Sequence, residues 1–189
     1  MQGVVYHVIN HPDKVVKRYT TRHQMAHTSL TTKQFEYDRI ASEKGFGPKI
    51  YEISSNGRVI DLSDKSTIPK FERGRIIFVV MERIEEIDDD KNYVGVVHVW
   101  EKMRQHGLLS ADGFYGYSSK QKAIVGADFG AVYVTKDDEE FRDAMYEHLE
   151  SCESSGCIDL DIARRYVRAN PTNPFTEDIL EPVLARLQY

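Results

Sequence analysis

Two aspartates that flank a short hairpin-like segment constrain this chain more than any other feature. Asp112 follows a helical stretch that stops at Gly107, and Asp128 opens an Asp-Phe-Gly tripeptide directly after an apolar run. The residues between the two aspartates are interpreted as a short β-hairpin. Carboxylates placed before and after a hairpin can orient a hydroxyl group and hold a divalent cation on a polyphosphate. The simpler interpretation of Asp112, the start of an Asp-Gly turn with no catalytic role, stays open.

Four further motifs precede this segment in a fixed order. Lys17 lies in an apolar strand, and Glu36 lies near the start of a helical stretch. A Gly-Phe-Gly-Pro junction follows at residues 45–48, and a second apolar strand runs through residues 76–84. Together with the two aspartates, these motifs resemble those of the protein-kinase-like superfamily over roughly residues 3–135.

The resemblance implies an α+β fold of two lobes within a single minimal domain. Residues 1–84 would form a small antiparallel sheet with one long helix, followed by the hinge. Residues 85–189 would form a reduced, mainly helical lobe. In a kinase-like fold the nucleotide lies between the lobes, so residues of both halves would contribute to one site.

The same resemblance assigns roles around the phosphates of ATP. Lys17 would hold the α- and β-phosphates and would be steadied by Glu36. Asp128 would bind Mg²⁺ or Mn²⁺, and Asp112 would orient or accept the proton of the substrate hydroxyl. Lys17 and Asp112 are therefore the expected catalytic residues, and Asp128 is the expected metal ligand.

The strand at residues 76–84 resembles the segment that runs into the kinase hinge. Met81 would be the gatekeeper beside the adenine ring. The residues from Glu82 to Ile84 would offer backbone groups to the adenine edge. These four positions complete the expected nucleotide site.

Several positions depart from the family pattern. The glycine-rich loop is reduced to Gly3, and Ser110 stands at the position of the catalytic-loop histidine. Tyr117 occupies the position of the asparagine that binds a second metal ion, and no Ala-Pro-Glu segment follows the Asp-Phe-Gly tripeptide. These departures put efficient turnover in doubt.

The resemblance thus implies an ATP- and metal-dependent phosphotransferase, a minimal atypical Ser/Thr protein kinase that acts on a protein substrate. The competing interpretation is a pseudokinase, which would use the same scaffold as a protein-binding module or decoy. Small stripped kinase folds of this kind resemble those of viruses and secreted effectors. An aminoglycoside-type phosphotransferase is disfavoured, because the His-x-Asp motif and the substrate-binding helical insert of that class are absent.

Composition limits the partners. The chain has 25 Lys and Arg against 30 Asp and Glu, a net charge of −5, which argues against nucleic acid as the main partner. No apolar run approaches the length of a membrane span, and no signal peptide is recognisable. The sequence therefore predicts a cytoplasmic protein, in the host cytoplasm for a viral or effector protein. Cys152 and Cys157 are predicted to be free thiols, and no four-ligand zinc pattern is expected.

Periodicity and turn signals predict the secondary structure. Two segments, 57–62 and 75–82, are expected to pair as antiparallel strands. Trp100 and Met103 are expected in the core. The remaining predicted elements are strands at 6–10 and 14–19, a helix that begins at residues 34–36 and is closed by Gly45, and helices at 92–106, 139–150, 159–168 and 176–187.

Overall fold

The computed structural model describes residues 4–20, 30–31, 34–60, 76–111 and 113–187. This part of the chain is α+β, with five α-helices and three small antiparallel sheets. In chain order the elements are β1 (Val4–His7), β2 (Lys14–Thr20), β3 (Leu30–Thr31), α1 (Gln34–Lys44), β4 (Ile50–Ser55), β5 (Arg58–Ile60), β6 (Ile76–Glu82), β7 (Glu85–Glu86), α2 (Tyr93–Arg104), β8 (Leu108–Ser110), β9 (Phe114–Ser118), β10 (Ala123–Ala127), β11 (Val132–Val134), α3 (Asp138–Ser155), α4 (Asp159–Ala169), a π-helical turn (Thr176–Leu180) and α5 (Glu181–Arg186). Gly3 and Asp112 lie outside the described residues.

The largest sheet has five strands in the order β1-β2-β6-β4-β5. The predicted direct pairing of segments 57–62 and 75–82 is wrong, because β4 lies between β5 and β6. The reason is the tight turn at Asn56 and Gly57, whose φ angles of 54° and 74° suit a two-residue hairpin. That turn folds β5 back onto β4, so β6 pairs with the other edge of β4.

Helix α1 packs on one face of this sheet. The alternation of β2 places Val15, Lys17 and Tyr19 on the same buried face, and the Tyr19 ring meets Phe35 of α1 edge to face. The helix ends as predicted at Gly45, whose φ of 75° is the left-handed conformation typical after a helix. Side chains of the five-stranded sheet and α1 form a small core: Val15, Tyr19, Phe35, Ile53, Ile77, Val79 and Met81.

The predicted hairpin between the two aspartates is present. Strands β9 and β10 pair antiparallel, and β7 joins the open edge of β9. On either side of this hairpin, β8 and β11 pair with each other, and β3 pairs with the other edge of β11. The segments that precede and follow the hairpin are thereby held side by side.

A second, larger core lies among the helices. Trp100 and Met103 of α2 are fully buried in it, as predicted, and the Trp100 indole donates a hydrogen bond of 2.6 Å to the Tyr115 hydroxyl. Helix α1 contributes Tyr37 and Ala41 to this core, so α1 has side chains in both cores. The tail forms the predicted helices, although α3 continues to Ser155 and the last segment begins with a π-helical turn. None of the helices in the described ranges is sufficiently long and apolar to cross a membrane.

Candidate functional site

The Lys17 side chain lies between two carboxylates that come from distant parts of the chain. Its ammonium is 3.0 Å from Oδ2 of Asp38 on α1 and 3.0 Å from Oδ1 of Asp128, which follows β10. Lys17 and Asp38 are both buried, so solvent screens their ion pair weakly, whereas the pair with Asp128 is open to solvent on the carboxylate side. Lys17, Asp38 and Asp128 are called the lysine cluster below.

The carboxylate of α1 that contacts Lys17 is that of Asp38 rather than the predicted Glu36. The buried stripe of the helix contains Phe35, Asp38 and Ala41, three residues apart each time, and Glu36 is only partly buried beside it. Because successive residues of a helix are rotated by about 100°, a shift of two positions changes the face on which a side chain lies. Asp38 lies three residues after the apolar Phe35, and this helical spacing could have identified Asp38 as the acidic residue on the buried face.

Asp38 connects three segments of the fold. Its Oδ2 accepts a hydrogen bond of 2.6 Å from the Tyr19 hydroxyl as well as the contact from Lys17. Its Oδ1 accepts a hydrogen bond of 3.3 Å from the backbone N–H of Phe129. The buried carboxylate is therefore paired and hydrogen-bonded, which offsets the free-energy penalty of removing it from water. It also fixes the position of the Asp-Phe-Gly segment relative to β2 and α1.

Asp128 is the exposed member of the lysine cluster. Its side chain is 55% exposed, and its Oδ1 also accepts a hydrogen bond from the Gln34 side-chain amide. The backbone of Asp128 has a φ of 62°, a left-handed conformation that is uncommon outside glycine. Such conformations persist where surrounding contacts hold them, and they concentrate at functional sites. The carboxylate is thus held at the surface with part of it open to solvent.

Burial and the charges of the lysine cluster shift the pKa values of Lys17 and of the neighbouring Tyr19. Burial alone lowers the pKa of Lys17, but the attraction of Asp38 and Asp128 outweighs it, so the pKa is raised overall. The pKa of Tyr19 is also raised, well above its usual value, first by burial and then by the Asp38 carboxylate. Lys17 therefore stays charged and Tyr19 stays neutral across the physiological range.

The predicted hinge residues lie at the end of β6. The Met81 side chain is buried in the small core, and Ile84 lies between β6 and β7 beside Gly116. Glu82 is 1% exposed, and its carboxylate accepts hydrogen bonds from the Ser118 hydroxyl at 2.9 Å and the Lys120 N–H at 3.0 Å. The Glu82 side chain therefore ties the β9–β10 hairpin to β6, a structural role that the sequence did not reveal.

Asp112 lies outside the described residues, but the structure describes the residues on either side of it. Strand β8 ends at Ser110, and the Ala111 N–H donates a hydrogen bond of 2.9 Å to the Ala131 carbonyl. On the other side of Asp112, β9 begins at Phe114. Tyr117 lies inside β9, paired with Ile124 and Glu85, rather than in the loop.

The cysteines do not match their prediction. Cys152 and Cys157 form a disulfide, with Cα atoms 4.6 Å apart, instead of two separate free thiols. His148 and Asp159 lie beside them, so the four side chains make a set of metal-ligating groups that the sequence analysis did not expect. His148 and Cys152 are four residues apart, one turn of α3, and this spacing could have predicted that the two side chains lie on the same face.

Comparisons with known protein families, with curated proteins and with solved structures gave no match to this chain.

Proposed function

We propose that the protein is an ATP- and Mg²⁺-dependent phosphotransferase of the protein-kinase type, with a bilobal arrangement of its two cores. The observation that carries the proposal is the contact of the Lys17 ammonium with both Asp38 and Asp128 at 3.0 Å. A strand lysine, a helix carboxylate and the aspartate of an Asp-Phe-Gly segment are the groups that such enzymes bring together around a triphosphate. Two separate cores that share α1 support the two-lobed interpretation.

The charges of the lysine cluster suit this chemistry. One ammonium and two carboxylates leave a net negative charge, and the more exposed carboxylate is that of Asp128. A divalent cation bound by Asp128 would balance that charge and bridge to phosphate oxygens. Lys17 would then contact the phosphates while Asp38 retains it in position. Asp38 takes the role that the sequence assigned to Glu36.

Adenine would bind beside the end of β6 in this proposal. Met81 would border it, and the backbone of Glu82 to Ile84 would supply hydrogen-bonding groups. The backbone N–H of Glu82 already donates to the Lys49 carbonyl at 2.8 Å, and that of Arg83 donates to the Asp13 carbonyl at 2.9 Å. Ile84 is therefore the position of the three best suited to donate to the base.

A pseudokinase is the second candidate, and a specific observation favours it. Tyr117 lies within β9 and is paired with Ile124 and Glu85. The family pattern needs a metal-binding side chain five residues after the catalytic aspartate, in a loop that approaches the phosphates. A phenol in a paired strand does not replace that ligand. In this alternative the scaffold would bind a protein partner without efficient phosphoryl transfer.

Nucleotide binding tests the proposal through thermal unfolding. A ligand that binds only the folded protein raises the melting temperature with its concentration, so ATP with Mg²⁺ or Mn²⁺ should do so here. Lys17→Ala and Asp128→Ala should abolish the metal-dependent part of the shift. Lys14→Ala, on the same strand, and Asp161→Ala, on α4, serve as matched controls and should retain it. Equal shifts in all four variants would place the nucleotide elsewhere.

Phosphoryl transfer separates the two candidates. For an enzyme, Asp112→Ala should lower the transfer rate by at least about a hundredfold and leave the ATP-induced shift intact, because general acid-base groups contribute on that scale. Tyr117→Asn should leave the rate unchanged or raise it. Wild-type protein that binds ATP and transfers no phosphate to protein substrates or to itself would favour the pseudokinase.

A further inference from the structure

Four potential metal ligands converge where α3 meets α4, far along the chain from the lysine cluster. His148 and Cys152 lie one turn apart on α3, Cys157 lies in the connection, and Asp159 begins α4. Their ligand atoms all lie within 4.8 Å of one another. We propose that, with its two cysteines reduced, this cysteine cluster binds one Zn²⁺ ion.

The chemistry of the four donors matches zinc. One imidazole nitrogen, two sulfurs and one carboxylate oxygen are the donor types that zinc takes in four-coordinate protein sites. The Cys152 sulfur is 3.9 Å from His148 Nε2, near the separation of about 3.5 Å expected for sulfur and nitrogen ligands on one tetrahedral zinc ion. Hard cations such as Mg²⁺ prefer sites built from oxygen, so the sulfurs argue against them.

The orientation of His148 distinguishes a metal site from a catalytic triad. In a Cys-His-Asp triad the nucleophile and the carboxylate address different nitrogens of the imidazole. Here Asp159 Oδ2 lies 2.7 Å from Nε2, and the Cys152 sulfur approaches that same nitrogen. His148 Nδ1 is buried without a hydrogen-bond partner among the described residues. The carboxylate and the sulfur thus both lie near the same imidazole nitrogen, as three ligands of one metal ion would.

Burial adds a second argument. His148, Cys152 and Asp159 are buried, and Cys157 is partly buried. A carboxylate enclosed with few partners is stabilised when a cation binds it, and the enclosure excludes water that would compete for the ion. The cluster also joins the end of one long helix to the start of the next. The bound ion would therefore act as a structural clamp on this helical hairpin.

The disulfide and the zinc ion exclude each other. Sulfurs bonded to one another are not thiolates, and only thiolates bind zinc strongly. A thiol or phosphine reductant supplies the two electrons that break the bond, and two protons convert the sulfurs to thiols. Zinc then displaces both thiol protons into solvent as the two Zn–S bonds form. The oxidised chain should therefore bind zinc far more weakly than the reduced chain.

The test uses the full chain, treated with a phosphine reductant and stripped with a chelator that is then removed. Addition of Zn²⁺ should load one ion per chain, measured by native mass spectrometry. Co²⁺ should give the intense near-ultraviolet charge-transfer bands of thiolate ligation and the visible bands of tetrahedral cobalt. The disulfide form should show neither. Reduced wild-type protein that is folded and binds no zinc, or cobalt spectra without thiolate bands, would overturn the proposal.

Variants localise the site. Cys157→Ser changes the least buried ligand, and it should weaken zinc binding at least about a hundredfold and remove part of the thiolate absorption. His148→Asn should change the cobalt spectrum as well. Asp161→Asn, two residues beyond Asp159, is the matched control and should bind as wild type does. Folded Cys157→Ser protein with wild-type affinity would contradict the assignment, and if the variants do not fold, the wild-type measurement decides.

Discussion

The lysine cluster and the cysteine cluster both contain buried polar side chains, but they are assembled in opposite ways. Lys17 and Asp128 are 111 residues apart in sequence, whereas His148 and Asp159 are 11 apart. The lysine cluster exists only if β2, α1 and the segment after β10 are packed correctly. The cysteine cluster needs little more than one helical turn and a short connection. The lysine cluster therefore depends on the tertiary fold, whereas the cysteine cluster depends mainly on local structure.

The two clusters should also respond differently to the loss of one member. Removal of Lys17 leaves Asp38 buried beside a second carboxylate with no cation between them. Removal of a cysteine ligand leaves α3 and α4 still anchored by buried apolar side chains, including Leu149, Leu160 and Ile162. We therefore expect the larger stability changes at the lysine cluster.

The largest expected effect is that of Lys17→Met. The variant leaves the buried Asp38 carboxylate without its cation, and breaking a buried ion pair in this way costs about 3–5 kcal/mol of unfolding free energy. Chemical denaturation monitored by circular dichroism measures that loss. The double variant Lys17→Met, Asp38→Leu should recover part of it, because both charges are then absent.

Lys14→Met is the control for this prediction. Lys14 lies on the same strand, with its ammonium 4.9 Å from the centre of the Tyr51 ring, and its loss should cost less than about 1 kcal/mol. If the two lysine variants have equal unfolding free energies, Lys17 does not hold the buried carboxylate, and the contrast between the clusters fails.

A smaller effect is expected at Glu82. Glu82→Ala would leave the Ser118 hydroxyl and the Lys120 N–H without their acceptor, which should cost about 1–3 kcal/mol. Ser118→Ala removes one donor to Glu82, together with the hydroxyl oxygen that accepts from the Gln121 N–H at 3.0 Å, and should cost about 1 kcal/mol. Hydrogen exchange should show increased opening of the β9–β10 hairpin in Glu82→Ala. A loss smaller than that of Ser118→Ala would mean that the hairpin is held by its apolar contacts alone.

The smallest effect is expected at the surface pair of Arg104 and Asp138. Two hydrogen bonds from the Arg104 guanidinium, 2.8 Å from Nε to Oδ1 and 2.5 Å from Nη2 to Oδ2, lower the pKa of Asp138. A carboxyl whose pKa is lowered in the folded state contributes stability at neutral pH. That stability is lost progressively as the pH falls from about 4 through the lower pKa of the folded state, below which the group is protonated in both states. Arg104→Ala should therefore cost about 0.5 kcal/mol at pH 7 and less near pH 3.

Thermal unfolding across that pH range checks this prediction. The Arg104 guanidinium also lies 6.0 Å from the centre of the Phe175 ring. A penalty that is the same at both pH values would show that Arg104 acts through this packing and not through its charge. Asp138→Asn in the Arg104→Ala background should have no additional pH-dependent effect.

Sequence reasoning succeeded where the signal was local or depended on an ordered motif. The helix that ends at Gly45, the hairpin between the two aspartates and the burial of Trp100 all follow from turn residues and periodicity. Lys17 and Asp128 were selected because each stands in a motif, and the structure places their charged groups in contact. The motif order carried information about distant contacts that periodicity alone does not contain.

The remainder could not be predicted for physical reasons. Asp38 replaced Glu36 because helix rotation relative to the sheet is set by packing, and the sequence offered two acidic positions near one face. The pairing of β5 with β4 was missed because the Asn-Gly turn was not used as a hairpin signal. Glu82 was considered for its backbone, while its buried side chain depends on a hairpin that begins more than thirty residues later. In all three cases, the missing information was which segments of the chain contact each other in the folded protein.

Calorimetric titration of ATP with and without Mg²⁺, on wild type and Asp128→Asn, tests the central claim most directly. The claim is that the lysine cluster holds a metal-bound triphosphate. Mg²⁺ should strengthen ATP binding to wild type at least about tenfold, equal to about 1.4 kcal/mol, and this gain should disappear in Asp128→Asn. Asp161→Asn should keep the gain. A metal-dependent gain of equal size in wild type and Asp128→Asn would contradict the account.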